Sequence, residues 1–410
     1  MLVKARTIIF ITTYPFNDDF ALKYGFDMLK RKGFNIVILN VLNIIFPKAS
    51  AKIPLYNKLY PVWDVPQTKV KFRSDLEYKL KTINGWKIVV LVIPPFYRIL
   101  RVLKRVRVDY IEMLLNTRPK SLPVNKKICD RFFLMLYRLF TNPVGLFLKS
   151  ILPKFTLCLL KGLPYQLLGI KYPKYVVLGS EIVHSRCYSL SKSRIIKSHS
   201  FDYDRYLRNK GMSKSPNIPN EEYYVHIADN PWGGHDFALN GWKAIISKSL
   251  YTQIINKFLD YVEEKTGKKI LIAAHPKHTS EDDIYNGRPF LYFDTEQLIK
   301  YSCGIICHFS GAMNFAVIHN KPICFISIRE PKDSTYYKYD ATAFASAVGA
   351  KIHPIETDED LQQMMENGMF SYNSDSYEDY KRKYIGINNE ERLCWDIVAD
   401  TLIQDQQLNE

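Results

Sequence analysis

The chain has 410 residues, of which 47% are hydrophobic and 24% are charged, and its formal net charge is +16. This composition excludes an intrinsically disordered protein, because disordered chains are poor in apolar residues. A chain of this length exceeds one ordinary hydrophobic core, so we predict two domains of about 200 residues each.

The seven cysteines are scattered along the chain and follow no disulfide framework. Cys303 and Cys307 are closely spaced, but no second pair of ligands accompanies them, which argues against a metal site. Reduced cysteines in a core are typical of cytoplasmic proteins, and we expect that location here. The apolar N-terminal stretch runs into Tyr14 and Pro15 without a small-residue cleavage site, which favours a first core strand over a signal peptide.

The N-terminal half alternates between β-branched runs and segments of helical periodicity, the pattern of a parallel α/β domain. We predict a strand at 7–13, a helix at 19–32 ending at Gly33, and strands at 35–42, 86–93 and 175–179, the last of them closing the domain. The first domain is predicted over residues 1–200. The polar segment 181–220, rich in Ser, Lys and Asn, is the predicted linker.

Residues 96–174 form a basic apolar region with sixteen Lys and Arg against three acidic residues, among many Leu, Phe and Ile. Such a mixture suits a peripheral surface on an anionic membrane, here the inner face of the cytoplasmic membrane. The interspersed charges argue against a spanning helix. Nucleic acid is the competing partner, but the sequence contains no nucleic-acid-binding motif, so we expect none. The other alternative is that these charges form an ordinary solvated face.

A second α/β series follows, and we predict a second domain over residues 221–390. Its predicted strands are 223–228, 269–274, 291–293 and 304–309, and its helices are 250–266 closed by Gly267, a helix capped by Asp294 or Thr295 and ending at Ser302, and 312–319. This alternation predicts parallel sheets with right-handed crossovers. An amphipathic stretch at 393–402 predicts a final helix within residues 391–410.

Two apolar runs of the second series stop abruptly at small or polar residues, as buried parallel strands do where they deliver residues to a site. Ser310 and Gly311 follow one strand and precede a helix, so a hydroxyl, backbone N–H groups and the positive end of a helix dipole would suit a phosphate. His275, Pro276 and Lys277 follow the other strand, and His275 would bring a second donor to the same anion. The sequence therefore predicts a nucleotide site.

The segments AAHPK (273–277) and HFSGAMNFAVIHNKPICFIS (308–327) resemble bacterial surface-polysaccharide glycosyltransferases of the sialyltransferase and Kdo-transferase type. Those enzymes carry an HP motif and a later Ser/Thr motif around the phosphate of a cytidine monophosphate sugar. The segment YPFNDDFALKYGFDMLKRKGFNIVILNV (14–41) is similar to the first strand, loop, helix and strand of such enzymes. Teichoic acid transferases that use CDP-glycerol share a similar HP and Ser pattern.

The resemblance implies an α/β fold with two Rossmann-like domains facing each other across a cleft, the GT-B architecture. The N-terminal domain would bind the acceptor and the C-terminal domain the nucleotide sugar. The last helix is then expected to cross back to the first domain, as it often does in that fold. No cofactor is implied, only a nucleotide-sugar co-substrate that is CMP-linked in the enzymes it resembles.

The predicted donor-binding residues divide between the phosphate and the base. His275 would donate to the phosphate and stabilise the leaving nucleotide, Pro276 would fix the backbone and Lys277 would add charge. Ser310 and Gly311 would bind the same phosphate, with the glycine permitting close backbone approach. The alternatives are a core-edge histidine, a surface lysine and a helix-capping serine.

Further donor-binding residues are predicted nearby. Asn314 lies one turn into the helix and would face the same cleft. The loop that ends at Thr295 would hold the nucleotide base, with Tyr292 or Phe293 stacking on it. Aromatic residues that merely pack against a strand core are the alternative for both rings.

Transfer to a hydroxyl requires a base, for which a carboxylate or an imidazole is the usual group. Asp18 and Asp19 follow the first strand and are the favoured candidates, although Asp18 also suits a helix cap. His235 and Asp236 lie in the loop after the first strand of the second domain and are the second candidates. The sequence shows no DxD motif in an obvious loop, and positive groups can offset the leaving charge, so we predict metal-independent transfer.

The leading hypothesis is a membrane-associated glycosyltransferase of capsule, O-antigen or lipooligosaccharide synthesis. It would move a sugar, for example a sialic-acid-like or Kdo-like acid, from a CMP donor to a glycan or glycolipid. A CDP-glycerol or ribitol phosphotransferase of polymer synthesis is the enzymatic alternative. A polysaccharide-assembly protein that kept the fold without catalysis is the other.

Overall fold

The computed structural model describes residues 5–47, 61–93, 96–115, 118–119, 170–182, 190–228, 231, 244, 246–274, 284–292, 295–308, 310–329, 335–386 and 390–408. Most of the basic apolar region therefore lies outside the described residues. Within them, no helix combines the length and the apolar character that crossing a bilayer requires.

The first domain is built on a parallel sheet of seven strands. They are β1 (Arg6–Thr12), β2 (Phe34–Asn40), β3 (Gln67–Lys69), β4 (Trp86–Leu91), β5 (Asp109–Leu114), β6 (Tyr175–Leu178) and β7 (Arg194–Lys197). Their order in the sheet is β3-β2-β1-β4-β5-β6-β7. β1 pairs with both β2 and β4, and its apolar residues are buried because helices cover both faces of a parallel sheet.

Short helices connect the strands of this domain: α1 (Asp18–Lys23), α2 (Phe26–Arg31), α3 (Leu42–Ile45), α4 (Arg73–Thr82) and α5 (Tyr97–Arg105). The sequence predicts one helix over 19–32, and this prediction is wrong. Gly25 separates α1 from α2 with a left-handed φ of 63°, a conformation that glycine adopts at little cost. Periodicity continues across the break and therefore hides it.

The second domain has a parallel sheet of six strands: β8 (Tyr223–Ile227), β9 (Lys269–Ala273), β10 (Phe290–Leu291), β11 (Gly304–Cys307), β12 (Ile323–Ser327) and β13 (Ile352–Pro354). Their order is β10-β9-β8-β11-β12-β13. β8 therefore lies between β9 and β11, and all three end at the same edge.

The remaining helices are α6 (Phe201–Asn209), α7 (Lys248–Thr266), α8 (Thr295–Tyr301), α9 (Met313–Ile318), α10 (Thr335–Ala347), α11 (Asp358–Glu366), α12 (Ser374–Tyr380) and α13 (Cys394–Gln407), with a π-helical turn at Lys381–Ile385. α7 ends at Gly267 with a φ of 67°, which confirms that predicted cap.

The polar segment 181–220, predicted as a linker, contains β7 and α6. The strand at 175–179 is consequently not the last of its sheet, as predicted, because β7 pairs in parallel with β6. β7 has one buried side chain among its four residues, so it lacks the continuous buried apolar run that identifies the central strands.

The last helix, α13, packs against the first domain. Trp395 is fully buried, and its ring lies 5.6 Å from that of Phe10 on β1. A Cβ on Gly25 would lie 2.4 Å from the Cβ of Trp395, so the glycine admits the indole. Lys32 pairs with Asp396 at 2.7 Å at the edge of this contact, which we call the junction.

Candidate functional site

A cavity of ≈ 320 Å³ lies between the two domains. α1 and Arg118 line it from the first domain, α8 and the segment between β11 and α9 line it from the second, and α6 runs between them. A larger depression of ≈ 580 Å³ lies along the outer side of α7. We assign the site to the smaller cavity, here called the cleft, because ligands of parallel sheets bind beyond the carboxyl ends of the strands.

Ser310 and Gly311 line the cleft just after β11, as their predicted role requires. The Oγ of Ser310 accepts a hydrogen bond from the N–H of Ala312 at 3.2 Å, which leaves the hydroxyl proton able to donate. α9 has only six residues, and its N-cap is Ala312, which makes no side-chain capping bond. The hydroxyl and backbone at this position are therefore better supported as anion contacts than a helix dipole is.

Asn314 also lines the cleft, but its side chain is engaged by protein groups. Its Nδ2 donates to Oδ2 of Asp202 at 2.6 Å, and its Oδ1 accepts from the hydroxyl of Tyr380 at 2.9 Å. Asn314 thus positions Asp202, whereas the sequence predicts a direct contact with the donor.

α6 joins the two sides of the cleft and is called the bridging helix below. Ser200 caps it by accepting from the N–H of Tyr203. Towards the first domain, Arg205 pairs with Asp19 and Arg208 pairs with Asp27 at 3.1 Å.

Towards the second domain, the bridging helix reaches a buried polar group on α8. The amide of Asn209 donates to Glu296 at 2.5 Å, and Glu296 also contacts His319 at 2.5 Å. Together with the bond from Asn314 to Asp202, this contact ties α6 to α8 and α9. One helix of nine residues therefore carries polar contacts to both domains.

Arg118 enters the cleft from the first domain, four residues beyond β5. One of its terminal nitrogens would lie 3.5 Å from a Cβ built on Gly311, so its guanidinium faces the backbone next to Ser310. Within the described part of the chain, no carboxylate forms an ion pair with it. Lys23, Arg205 and Arg208 also line the cleft. Its positive groups therefore suit an anionic ligand beside Gly311.

The structure brings Asp19, Thr295, Ser310, Gly311 and Asn314 together in the cleft. Asp18 lies outside it on the exposed side of α1, and the helix cap is Asn17, whose side chain accepts from the N–H of Phe20, and not Asp18.

Tyr292 lies elsewhere, and six other predicted residues are not described by the structure. The ring of Tyr292 is half-exposed after β10 and makes an edge contact with that of Phe290, away from the cleft lining. His235, Asp236, His275, Pro276, Lys277 and Phe293 lie outside the described residues.

Asp202 and Arg118 are two of the cleft residues that the sequence analysis did not select. Asp202 lies in the segment predicted as a linker, but Ser200 followed by two aspartates is a recognisable start of a helix. Arg118 was counted only as part of the basic apolar region, and recognising β5 before it would have placed it at a sheet edge. Among the described residues, no group of three or more His, Cys, Asp and Glu side chains is arranged to hold a metal ion.

No protein-family model and no curated protein matches the chain. Solved structures do: a variant of the wall teichoic acid polymerase TagF soaked with CDPG is 14% identical, over 98% of this chain and 90% of that one, with a TM-score of 0.55. A second structure of a TagF variant is also 14% identical, over 98% of this chain and 90% of that one, with a TM-score of 0.50. The Arabidopsis thaliana protein UGT89C1 complexed with UDP is 8% identical over 98% of this chain and 99% of that one, with a TM-score of 0.49.

At such identities the likeness establishes the fold alone. The predicted architecture of two parallel α/β domains facing each other across a cleft is confirmed, and it is that of GT-B glycosyltransferases.

Proposed function

We propose that this chain is a glycosyltransferase that moves a sugar from a nucleotide donor to a hydroxyl of a glycan or glycolipid. The observation that carries the proposal is the cleft, where Ser310 and Gly311 of the second domain face Arg118 of the first. An anionic donor phosphate fits between a hydroxyl, a close backbone and a guanidinium. Carboxylates line the same cleft and supply the base that transfer requires.

The donor in this proposal is a CMP-linked sugar, for example a sialic-acid-like or Kdo-like acid. Its support is the resemblance of the HP and Ser segments to enzymes that use such donors. The basic apolar region would hold the enzyme on an anionic membrane beside a lipid-linked acceptor of capsule, O-antigen or lipooligosaccharide synthesis. In this proposal the protein would work at the cytoplasmic face of the membrane.

Isothermal titration with CMP, CDP, UDP and GDP tests the donor class. We expect CMP to bind most tightly, and Ser310→Ala to weaken that binding about tenfold because a charge-assisted hydrogen bond is lost. Ser374→Ala is the matched control, since Ser374 is exposed on α12. A protein that binds none of the four nucleotides would contradict the enzymatic proposal and favour a non-catalytic assembly protein.

Mass spectrometry of the product distinguishes the two enzymatic hypotheses, sugar transfer and polyol-phosphate transfer. A sugar donor leaves CMP and adds only the sugar, whereas a CDP-polyol donor adds a phosphate with its polyol. The similarity to TagF soaked with CDPG gives the second reading its support, through the fold. A product that has gained phosphorus would establish it.

His275→Ala is expected to lower both turnover and nucleotide affinity, because the histidine would donate to the phosphate that leaves. Unchanged values for both would remove the HP segment from the proposed site.

Treatment with EDTA is expected to leave turnover unchanged, because Arg118, Lys23 and Arg205 can offset the charge on the leaving phosphate. Loss of turnover restored by magnesium or manganese would contradict metal independence.

A further inference from the structure

The carboxylates that line the cleft differ in the side chains that they contact. Asp19 pairs with Arg205, Asp204 with His199 and Glu296 with His319. Asp202, in contrast, accepts its hydrogen bond from the neutral amide of Asn314, and no basic side chain of the described residues forms an ion pair with it. Asp202 is thus the carboxylate of this set whose side-chain partner is an amide, and not an arginine or a histidine.

A buried chain of hydrogen bonds fixes the orientation of Asp202. Tyr380 is fully buried and donates to Oδ1 of Asn314, which turns Nδ2 of that amide towards Oδ2 of Asp202. Within the described part of the chain, Oδ1 of Asp202 receives no hydrogen bond. One carboxylate oxygen is therefore anchored, and the other is available in a cleft that also contains Ser310 and Gly311.

From this geometry we propose that Asp202 is the general base that takes the proton from the acceptor hydroxyl, an inference that rests on the proposed transferase function. The hydroxyl proton passes to the carboxylate of Asp202 while the acceptor oxygen forms a bond to the anomeric carbon. The bond from that carbon to the phosphate oxygen breaks, and its electron pair leaves with the nucleotide phosphate beside Ser310. Asn314 is a positioning residue in this scheme, because it acts through Asp202, whereas Arg118 would contact the nucleotide phosphate itself.

The surroundings of Asp202 suit a base. Burial raises the pKa of its carboxyl, while the hydrogen bond from Asn314 and the charges of Lys23, Arg118 and Arg205 act in the opposite direction, with a net rise. The hydroxyl of Tyr380, on the adjacent α12, also faces this carboxyl and its own pKa is raised by burial, so it stays neutral. A carboxylate with a raised pKa accepts a proton more readily than an ordinary one.

Asp202→Asn tests the proposal, because it keeps the shape and the acceptor oxygen but removes the basicity. We expect kcat to fall at least about a hundredfold, the usual contribution of a general base, while CMP affinity stays within about twofold. The matched control is Asp27→Asn. Asp27 lies on α2 and pairs with Arg208, which is on the same helix as Asp202, so this variant also removes a carboxylate that contacts α6. It should leave kcat within about twofold.

Thermal unfolding excludes a merely structural role. The native pKa of Asp202 is raised, so folding binds its proton more tightly, and the resulting stability is present at low pH and lost as pH rises through the native pKa. Ionisation of Asp202 therefore opposes folding, and Asp202→Asn should melt at the same temperature as the wild type or higher. A lower melting temperature together with a proportional loss of folded protein would overturn the proposal.

The pH profile supplies a second readout. The hydrogen bond from Asn314 lowers the pKa of Asp202, so Asn314→Ala should move the acidic limb of kcat towards higher pH. An unmoved limb would contradict the assignment. Full turnover in Asp202→Asn, with a hundredfold loss in Asp19→Asn, would transfer the role to Asp19 and leave the transferase function intact. A wild-type protein that binds no nucleotide and transfers no sugar would instead defeat both proposals.

Discussion

The first two helices contribute residues to both the junction and the cleft, but the two regions differ in the kind of side chain that they bring together. In the junction, Trp395, Phe10 and Phe26 are fully buried against one another, and the charges stand at the rim as ion pairs. In the cleft, charged groups meet at the centre, with Asp202 partly desolvated and Arg118 lacking an ion-pair partner among the described residues. The junction contributes stability, and the cleft keeps charge available for a ligand.

The largest expected effect is on the junction. Trp395→Ala should lower the free energy of unfolding by about 3–5 kcal/mol, because it removes a fully buried indole and leaves a cavity. Urea unfolding measures this loss, with Leu408→Ala, an exposed site at the end of α13, as the control. A loss below about 1 kcal/mol would mean that the junction is not the stable region described here.

Gly25→Ala should cost slightly less, about 2–4 kcal/mol. The new Cβ would meet Trp395 at 2.4 Å, and an L residue is strained at a φ of 63°. Gly33→Ala is the control for backbone strain alone, since φ is 80° there and nothing lies within 4 Å. Equal losses in the two variants would show that the contact with Trp395 adds nothing.

Arg118→Ala is expected to act on binding rather than on folding. Nucleotide affinity should fall about tenfold, since one charge-assisted contact is lost, and the unfolding midpoint should barely move. Arg105→Ala is matched in chemistry, because Arg105 pairs with Glu77 on the outer surface of the same domain. If Arg105→Ala weakened nucleotide binding to the same extent, Arg118 would contribute only through the net charge of the protein and not through a direct contact.

Gly311→Ala gives the smallest and most selective effect. The added methyl group has room, because the nearest atom is a terminal nitrogen of Arg118 at 3.5 Å, so stability should change by less than about 0.5 kcal/mol. Nucleotide affinity should fall severalfold if a phosphate lies against this backbone. Titration calorimetry beside urea unfolding would distinguish this glycine from Gly25, and unchanged affinity would remove the backbone of Gly311 from the site.

The sequence predicts the central strands well, because β1, β8, β9 and β11 are mostly apolar and almost every one of their residues is buried. Elements without such a run were missed. β7 has a single buried side chain, and α6 combines aromatic and charged residues that serve two domains at once. Placement of Ser310 followed from the end of β11, whereas Asp202 depended on a partner 112 positions away in the chain. Local pattern carries no information about such a pair.

The return of α13 to the first domain means that the polypeptide passes between the domains twice. The two passages lie side by side: the N–H of Ser200 donates to the carbonyl of Ile385 at 2.8 Å, and the N–H of Cys394 donates to Asp204 at 2.8 Å. Two connections that are bonded to each other restrict twisting and lateral sliding of one domain relative to the other. Opening and closing over a substrate would then reduce to rotation about one axis near residues 200, 204 and 385.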